Sequence, residues 1–280
     1  MNDIYLFDET FDKNQSHNYH LSIQTGVSGL SFCILDTVRN KYIGLHHYPI
    51  RKIDYTIADL VSIIQTDPIL TLAFKSVSHM SVDGRNTLVP LPLFEAQKEK
   101  LFFEFNHDQT DASDILYNQL PSIKAVNIFE YPKEFAAKLR EIYPKLKVFH
   151  RSTAFIEAFV QHSTRWTHAK CAVIINKEEI DIGIAQTQKL EFFNSFDYKE
   201  KTDIIYYIIN TLERFKLSST FTEVYFSANL ENHDEIYEFL GRYLNIIKFI
   251  QPTDQFIYSY IFDELHLTRF ANLFNLALCE

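Results

Sequence analysis

The feature that most limits what this chain can fold into is a repeated order of elements. Sliding the sequence past itself by 152 positions lays Ile23 on Ile175, Leu30 on Ile182, Phe32 on Ile184, Tyr55 on Tyr207, Ile57 on Ile209, Leu60 on Leu212 and Phe74 on Phe226. Single coincidences of apolar residues mean little. This register, however, runs without a gap through three strand patterns, a helix pattern and a fourth strand. Strands are predicted at 19–25, 29–36 and 41–48, and again at 169–176, 179–186 and 189–196. Helices follow at 55–66, where Ile57, Leu60, Val61 and Ile64 keep helical spacing, and at 200–216. Each half then continues strand, helix, strand: 70–82, 132–142 and 145–150 in the first, 222–228, 233–244 and 245–250 in the second. The first half also carries a strand at 86–93, split from 70–82 by the turn signal "DGRN", a helix at 95–105 and a strand at 122–130. A helix at 152–163 leads to the second half. The pattern predicts two α/β domains of one plan, residues 1–164, with an extra strand hairpin near 74–94, and residues 165–280.

The bulk properties narrow the function classes. At 280 residues and 46% hydrophobic, the chain can bury a sizeable core. Its net charge of −9 repels phosphate backbones, and no run of Lys and Arg forms a basic patch, so nucleic acid is not an expected partner. Cys33, Cys171 and Cys279 are far apart and lack ligand spacing, which points to free thiols in a reducing compartment. "MNDIYLFDETFD" lacks a basic stretch followed by an apolar one, and no apolar run approaches membrane-spanning length, so a cytoplasmic protein is expected.

Four stretches bear on chemistry. "LSIQTGVSGLSFCIL" (21–35) and "CAVIINKEEIDIGIAQ" (171–186) read as hairpins at corresponding places in the two halves. "EVYFSANLEN" (223–232) is a strand ending in Ser227-Ala228-Asn229, and "RSTAFIEAF" (151–159) is a helix with Ala154 and Ala158 on one face. A duplicated β-β-β-α-β-α-β-α domain carrying these stretches resembles the actin-like superfamily of actin, the 70-kDa heat-shock chaperones, sugar kinases and bacterial assembly proteins. The chain as a whole is similar to an uncharacterised bacterial family with an actin-like ATPase fold. Its strands at 74–94 look like those of the pilus- and secretion-assembly branch. The resemblance implies an α/β, duplicated ribonuclease-H-like fold, with a five-stranded mixed sheet flanked by helices in each domain.

It also implies a site, and this sequence departs from it. The first hairpin resembles Asp-x-Gly-Thr in working members, where the acid organises the metal and glycine lets backbone approach phosphate. Here the run is Gln24-Thr25-Gly26-Val27, with Gly29 beyond it, and an amide replaces the acid. The second hairpin resembles Asp-x-Gly-Gly-Gly-Thr, but reads Asn176-Lys177-Glu178-Glu179-Ile180, with no glycine and two added carboxylates. The Gly-Gly pair that seats adenosine is replaced by Ser227-Ala228-Asn229. Glu130 ends a strand near the place where the superfamily often orients the attacking water.

Other constellations are weaker. His17, His20, His46 and His47 would make metal ligands only if their strands converge. Asp108, Asp111 and Asp114 lack EF-hand spacing and read as a solvated loop. In the tail, Phe270, Leu273, Phe274, Ala277 and Leu278 form an apolar helical face with few basic residues around it, which predicts docking on the second domain rather than on a membrane. The leading expectation is a non-catalytic actin-like protein, a pseudo-ATPase that works as a binding or scaffold module for another protein and needs no cofactor. The alternative is a divergent ATP-binding protein or ATPase using the interdomain cleft with Mg²⁺, Gly26, Gly29 and Ser227 serving the nucleotide and Glu130 acting as base. A peripheral platform for an envelope assembly machine is a third reading, and homo-oligomerisation is left open.

Overall fold

The computed structural model describes residues 3–26, 29–50, 56–81, 85–108, 110–228 and 233–280. The chain divides into two compact units: Met1–Ala154 with Asp254–Leu265 and Asn272–Glu280, and Phe155–Thr253 with His266–Ala271.

The first unit begins with strands β1 (Ile4–Phe7), β2 (Tyr19–Gly26), β3 (Gly29–Asp36) and β4 (Lys41–Pro49). Helix α1 (Ile57–Thr66) starts at Thr56, whose hydroxyl accepts from the Asp59 N–H while the Asp59 carboxylate accepts from the Thr56 N–H. It ends at Asp67, directly before Pro68, which cannot continue a helix. Then come β5 (Ser76–Ser81), β6 (Asn86–Pro90), α2 (Glu99–Glu104), β7 (Ser113–Leu120), β8 (Ala125–Pro132), α3 (Lys133–Ile142), β9 (Lys147–His150) and α4 (Arg151–His162). The second unit adds β10 (Lys170–Ile175), β11 (Glu179–Gln186), β12 (Lys189–Asp197), α5 (Lys201–Arg214), β13 (Val224–Ala228), α6 (His233–Leu240) and β14 (Ile247–Phe249). A last short strand, β15 (Ile257–Tyr258), returns to the first unit.

The repeat is present as topology. The first sheet runs β4-β3-β2-β5-β9 and the second β12-β11-β10-β13-β14. In both, the first three strands are antiparallel and the next two run parallel to the central one. The first sheet is widened to seven strands because β1 and β15 both pair with β4. The sequence shift of 152 is not the structural one. Ile23 faces Phe32 in the first hairpin and Val173 faces Ile182 in the second, so these hairpins correspond with a shift of 150. A two-residue slip keeps every side chain on the same face of a strand, which is why the apolar coincidences persist in the wrong register.

β2 and β3 along their length, and β10 from Cys171 onward, are buried and carry the two cores. In the first unit, Ile23, Phe32 and Ile43 pack against Leu60 and Ile64 of α1 and Phe135 and Leu139 of α3. In the second, Val173, Ile182 and Phe226 pack against Ile204, Ile208 and Leu212 of α5 and Ile236 and Leu240 of α6. Gly183 lies under the rings of Phe155 and Phe159 of α4, where a Cβ would approach to 3.1 Å. Ala154 and Ala158 of the same helix are buried.

Two expectations are corrected. The strands expected to form a hairpin at 74–94 do not pair with each other. β5 pairs in parallel with β2 and β9, whereas β6 pairs antiparallel with β8 in a separate three-stranded sheet, β6-β8-β7. Residues 82–84 of the expected turn lie outside the described residues. The tail is divided between the units. His266–Ala271, with Phe270, belong to the second unit as expected, but Asn272–Glu280 belong to the first: Leu276 joins a cluster with Met80, Phe149 and Ala154, and the Tyr42 hydroxyl donates to the Phe274 carbonyl. Helical spacing foretold that these residues would be buried, but it carries no information about which surface receives them.

Asp8 fastens three segments of the first unit. Its carboxylate accepts from Lys41 Nζ at 2.7 Å, from the Ser259 hydroxyl, and from the Thr10 N–H and hydroxyl at 2.8 and 2.7 Å. Burial alone would raise its pKa; the Lys41, Ser259 and Thr10 hydrogen bonds hold it well below the usual carboxylate range. A depressed carboxylate contributes stability above its unfolded pKa near 4 and loses it as pH falls toward the folded value. Asp8→Ala leaves the partly buried Lys41 and the buried Ser259 without their shared acceptor and is expected to cost about 3 kcal/mol. Urea unfolding at pH 7 measures this, and a loss under about 1 kcal/mol would contradict it.

Candidate functional site

The two hairpin turns and the end of β13 are where the sequence places the nucleotide contacts. In the first unit, Gln24, Thr25 and Gly26 close β2 and Gly29 opens β3, with Gly26 paired to Gly29. Residues 27 and 28 of the turn lie outside the described residues. Thr25 does not present a free hydroxyl. Its Oγ1 lies 2.9 Å from His79 Nε2, and His79 Nδ1 lies 2.9 Å from the Tyr131 hydroxyl. His79 is fully buried and packs edge-on against Phe135. Burial pushes its pKa down to about 3, so it stays neutral and bridges two hydroxyls.

Gln24 lies on the opposite face of β2, in register with Ser31 and Met80. It is 9% exposed, and its Oε1 has no hydrogen-bond partner. Gly29 has φ +125°, and a Cβ there would lie 2.0 Å from the Tyr48 carbonyl oxygen and 2.9 Å from the Ile50 nitrogen. The backbone of β4 therefore requires this glycine, with or without a phosphate nearby.

In the second unit the shift of 150 places Asn176 where Gly26 stands and Glu179 where Gly29 stands. The Asn176 N–H donates to the Glu179 carbonyl at 2.9 Å and closes a turn whose two tip residues, Lys177 and Glu178, are exposed. Tyr198 clamps this turn from β12's far end: its hydroxyl donates to the Asn176 carbonyl at 2.5 Å and its N–H to the Glu178 carbonyl at 3.0 Å. At the end of β13, the Ser227 hydroxyl donates to the Thr268 carbonyl at 3.0 Å, and Ala228 is fully buried. Asn229 lies outside the described residues.

Glu130 sits on β8 in the three-stranded sheet. Arg85 Nε donates to its Oε1 at 2.8 Å, and the same guanidinium donates to the Asp108 carbonyl at 2.6 Å. Its other oxygen, Oε2, is buried without a partner.

The histidines do not converge. His20 lies between the Ser76 and Ser22 hydroxyls at 2.8 and 3.0 Å, His46 reaches Asp3 at 3.2 Å, and His47 Nδ1 meets Ser31 at 2.8 Å. Among the described residues, no group of three or more His, Cys, Asp or Glu side chains could hold a metal ion. Among the same residues, no helix is long and apolar enough to cross a membrane.

Sequence reasoning missed His79, Tyr198 and Thr268, the residues that engage the predicted site positions. Each acts through a contact distant in sequence: 25 to 79, 176 to 198 and 227 to 268. No local signal marks such partners.

Comparison with known proteins agrees with this architecture. No curated protein matches the sequence significantly. A Bacteroides thetaiotaomicron protein of unknown function with an actin-like ATPase fold is similar at 24% identity and a TM-score of 0.77, over 86% of this chain and 94% of that one. A chain of the PilM–PilN type IV pilus biogenesis complex is similar at 12% identity and a TM-score of 0.62, over 92% of this chain and 97% of that one. The fold is the α/β actin-like ATPase fold, with two mixed sheets flanked by helices. The family model described as "Protein of unknown function (DUF3822)" matches residues 8–247, and the chain belongs to that family.

Proposed function

We propose that this protein is a non-catalytic member of its fold, a binding or scaffold module whose phosphate-holding hairpins have been turned over to internal structure. The observation that carries the reading is that Thr25, Asn176 and Ser227 are each engaged by a partner in their own unit: His79, Tyr198 and Thr268. A hydroxyl or turn fixed in this way is not available to organise a triphosphate without breaking an existing hydrogen bond, at about 1 kcal/mol or more for each buried group. Gln24 brings no charge for Mg²⁺, and the turn at 176–179 offers a lysine and a glutamate where bare backbone would be needed. The likeness to a chain of a two-protein pilus assembly complex supports protein binding as a use of this fold.

Gln24 favours a second reading. An acceptor that is buried and unpartnered costs about 1–3 kcal/mol unless something donates to it. In a divergent ATP-binding protein or ATPase, a water held by Mg²⁺ on the nucleotide would supply such a donor. Thermal-shift measurements with ATP, ADP and GTP plus Mg²⁺ separate the two. A ligand present at a hundredfold excess over its Kd adds about 2.7 kcal/mol, an effect far above detection. No shift with any of them is expected, and a concentration-dependent rise in Tm would favour the second reading.

A further inference from the structure

The three-stranded sheet of the first unit carries the most conspicuous unexplained surface. Helix α2 is apolar on two opposite sides. Phe103 is buried against Val89, Val126 and Ile128 of the sheet, which accounts for one side. Leu101 and Phe105, four positions apart and so on one face, point outward at 65% and 88% exposure. Beside the helix, Phe94 and Phe102 are partly buried against the same cluster as Phe103. Phe94 lies 6.2 Å from the ring of Phe102 and 5.0 Å from that of Tyr117 on β7, and the neighbouring Leu93 is 65% exposed. Phe103 is covered by the sheet, whereas among the described residues Leu101 and Phe105 stay largely uncovered.

The charge around the patch says what kind of partner fits. Residues 91–118 contain six carboxylates and two lysines. Both lysines are already paired within the segment, Lys98 with Glu95 at 2.5 Å and Lys100 with Glu104 at 3.5 Å. Asp108 and Asp111 are exposed. Two cations from outside the segment join them: Lys133 lies 3.9 Å from Asp114 and donates to the Asp111 carbonyl, and Arg85, paired with Glu130, donates to the Asp108 carbonyl. With Lys133, Arg85 and Glu130 included, carboxylates still outnumber cations, seven to four. An apolar centre inside an acidic rim repels a bilayer of anionic lipid. It also repels a second copy of itself in a chain of net charge −9.

We infer that this face is the docking site for a basic amphipathic segment of a protein partner, an element with apolar residues on one side and Lys or Arg on the other. Leu101 and Phe105 are its anchors, and the acidic rim steers the encounter and fixes polarity. The inference deepens the partner-binding reading and rests on it, but it makes no use of the hairpins or of nucleotide.

The test is fluorescence anisotropy on the full chain with two labelled peptides of about 15 residues. One is an amphipathic Leu/Lys helix and the other a Leu/Glu helix with the same apolar face. The Leu/Lys peptide is expected to bind at least about tenfold tighter than the Leu/Glu peptide. Leu101→Ser/Phe105→Ser, which leaves every charge in place, is expected to weaken binding about tenfold or more without lowering Tm, because both side chains are exposed. Reversal of Asp108 and Asp111 to lysine weakens it as well. Equal affinity for both peptides, or unchanged Leu/Lys binding by the serine variant, would overturn the inference. So would vesicles of anionic lipid binding through Leu101 and Phe105, or a dimer dissolved by the serine variant. Failure here with nucleotide still inert removes only this surface, whereas a nucleotide response removes the non-catalytic reading whatever the peptides do.

Discussion

Alanine at position 29 is expected to leave the first unit unable to hold its native sheet, at a cost of more than about 4 kcal/mol. The added methyl group would sit 2.0 Å from the Tyr48 carbonyl oxygen and 2.9 Å from the Ile50 nitrogen, both backbone atoms of or next to β4. No rotamer change relieves a clash with backbone, and φ +125° is strained for any residue with a Cβ. Gly44 provides the control. A Cβ there meets the ring of Phe7 at 2.7 Å, a side chain that can swing aside, so Gly44→Ala should fold with a much smaller loss. Urea unfolding followed by far-UV circular dichroism compares the two. A Gly29→Ala protein within about 1 kcal/mol of the native one would show that β4 yields, and would return the glycine to the list of residues kept for a ligand.

The second large effect concerns acid. His79 is buried and neutral, with its pKa pushed down to about 3 by burial, and burial likewise lowers His20 to about 4. In the unfolded chain both titrate near 6.5. Below pH 6.5 the unfolded state takes up protons that the native state refuses. Stability is therefore complete above about pH 6.5 and is lost as pH falls toward the folded values. Each histidine contributes a slope of about 1.4 kcal/mol per pH unit, so by pH 5 the two together remove about 4 kcal/mol. Urea unfolding at pH 7 and pH 5 reads this directly. His79→Gln is less stable at both pH values because the Thr25 and Tyr131 hydroxyls lose their shared partner. Its pH slope should nevertheless fall by about one proton relative to the native protein. An unchanged slope in His79→Gln, and likewise in His20→Gln, would mean that these rings do not remain neutral in the fold.

Much of the architecture was legible because it is written in local periodicity. The strands at 29–36 and 179–186 and the helix at 132–142 are found within a residue of their expected limits. What periodicity does not encode is partnership. "DGRN" has the composition of a hairpin turn, yet the strands beside it belong to different sheets, because β5 is drawn to β2 across a parallel pairing that no short turn dictates. β7 was missed because its beginning lies in the acidic stretch "HDQTDASD", whose composition reads as loop. β1, four residues long, is too short to show a period. At the candidate site the departures from the superfamily motifs were visible residue by residue. The reason for keeping Gly29 was not, because it lies in the backbone of Tyr48 and Ile50, some 20 positions away.

Calorimetric titration of the full chain with Mg-ATP asks directly whether the hairpins at 24–29 and 176–179 hold a triphosphate. No saturable heat is expected up to about 1 mM nucleotide, and no release of phosphate over the same range. Saturable binding in the micromolar range accompanied by turnover would contradict the non-catalytic reading.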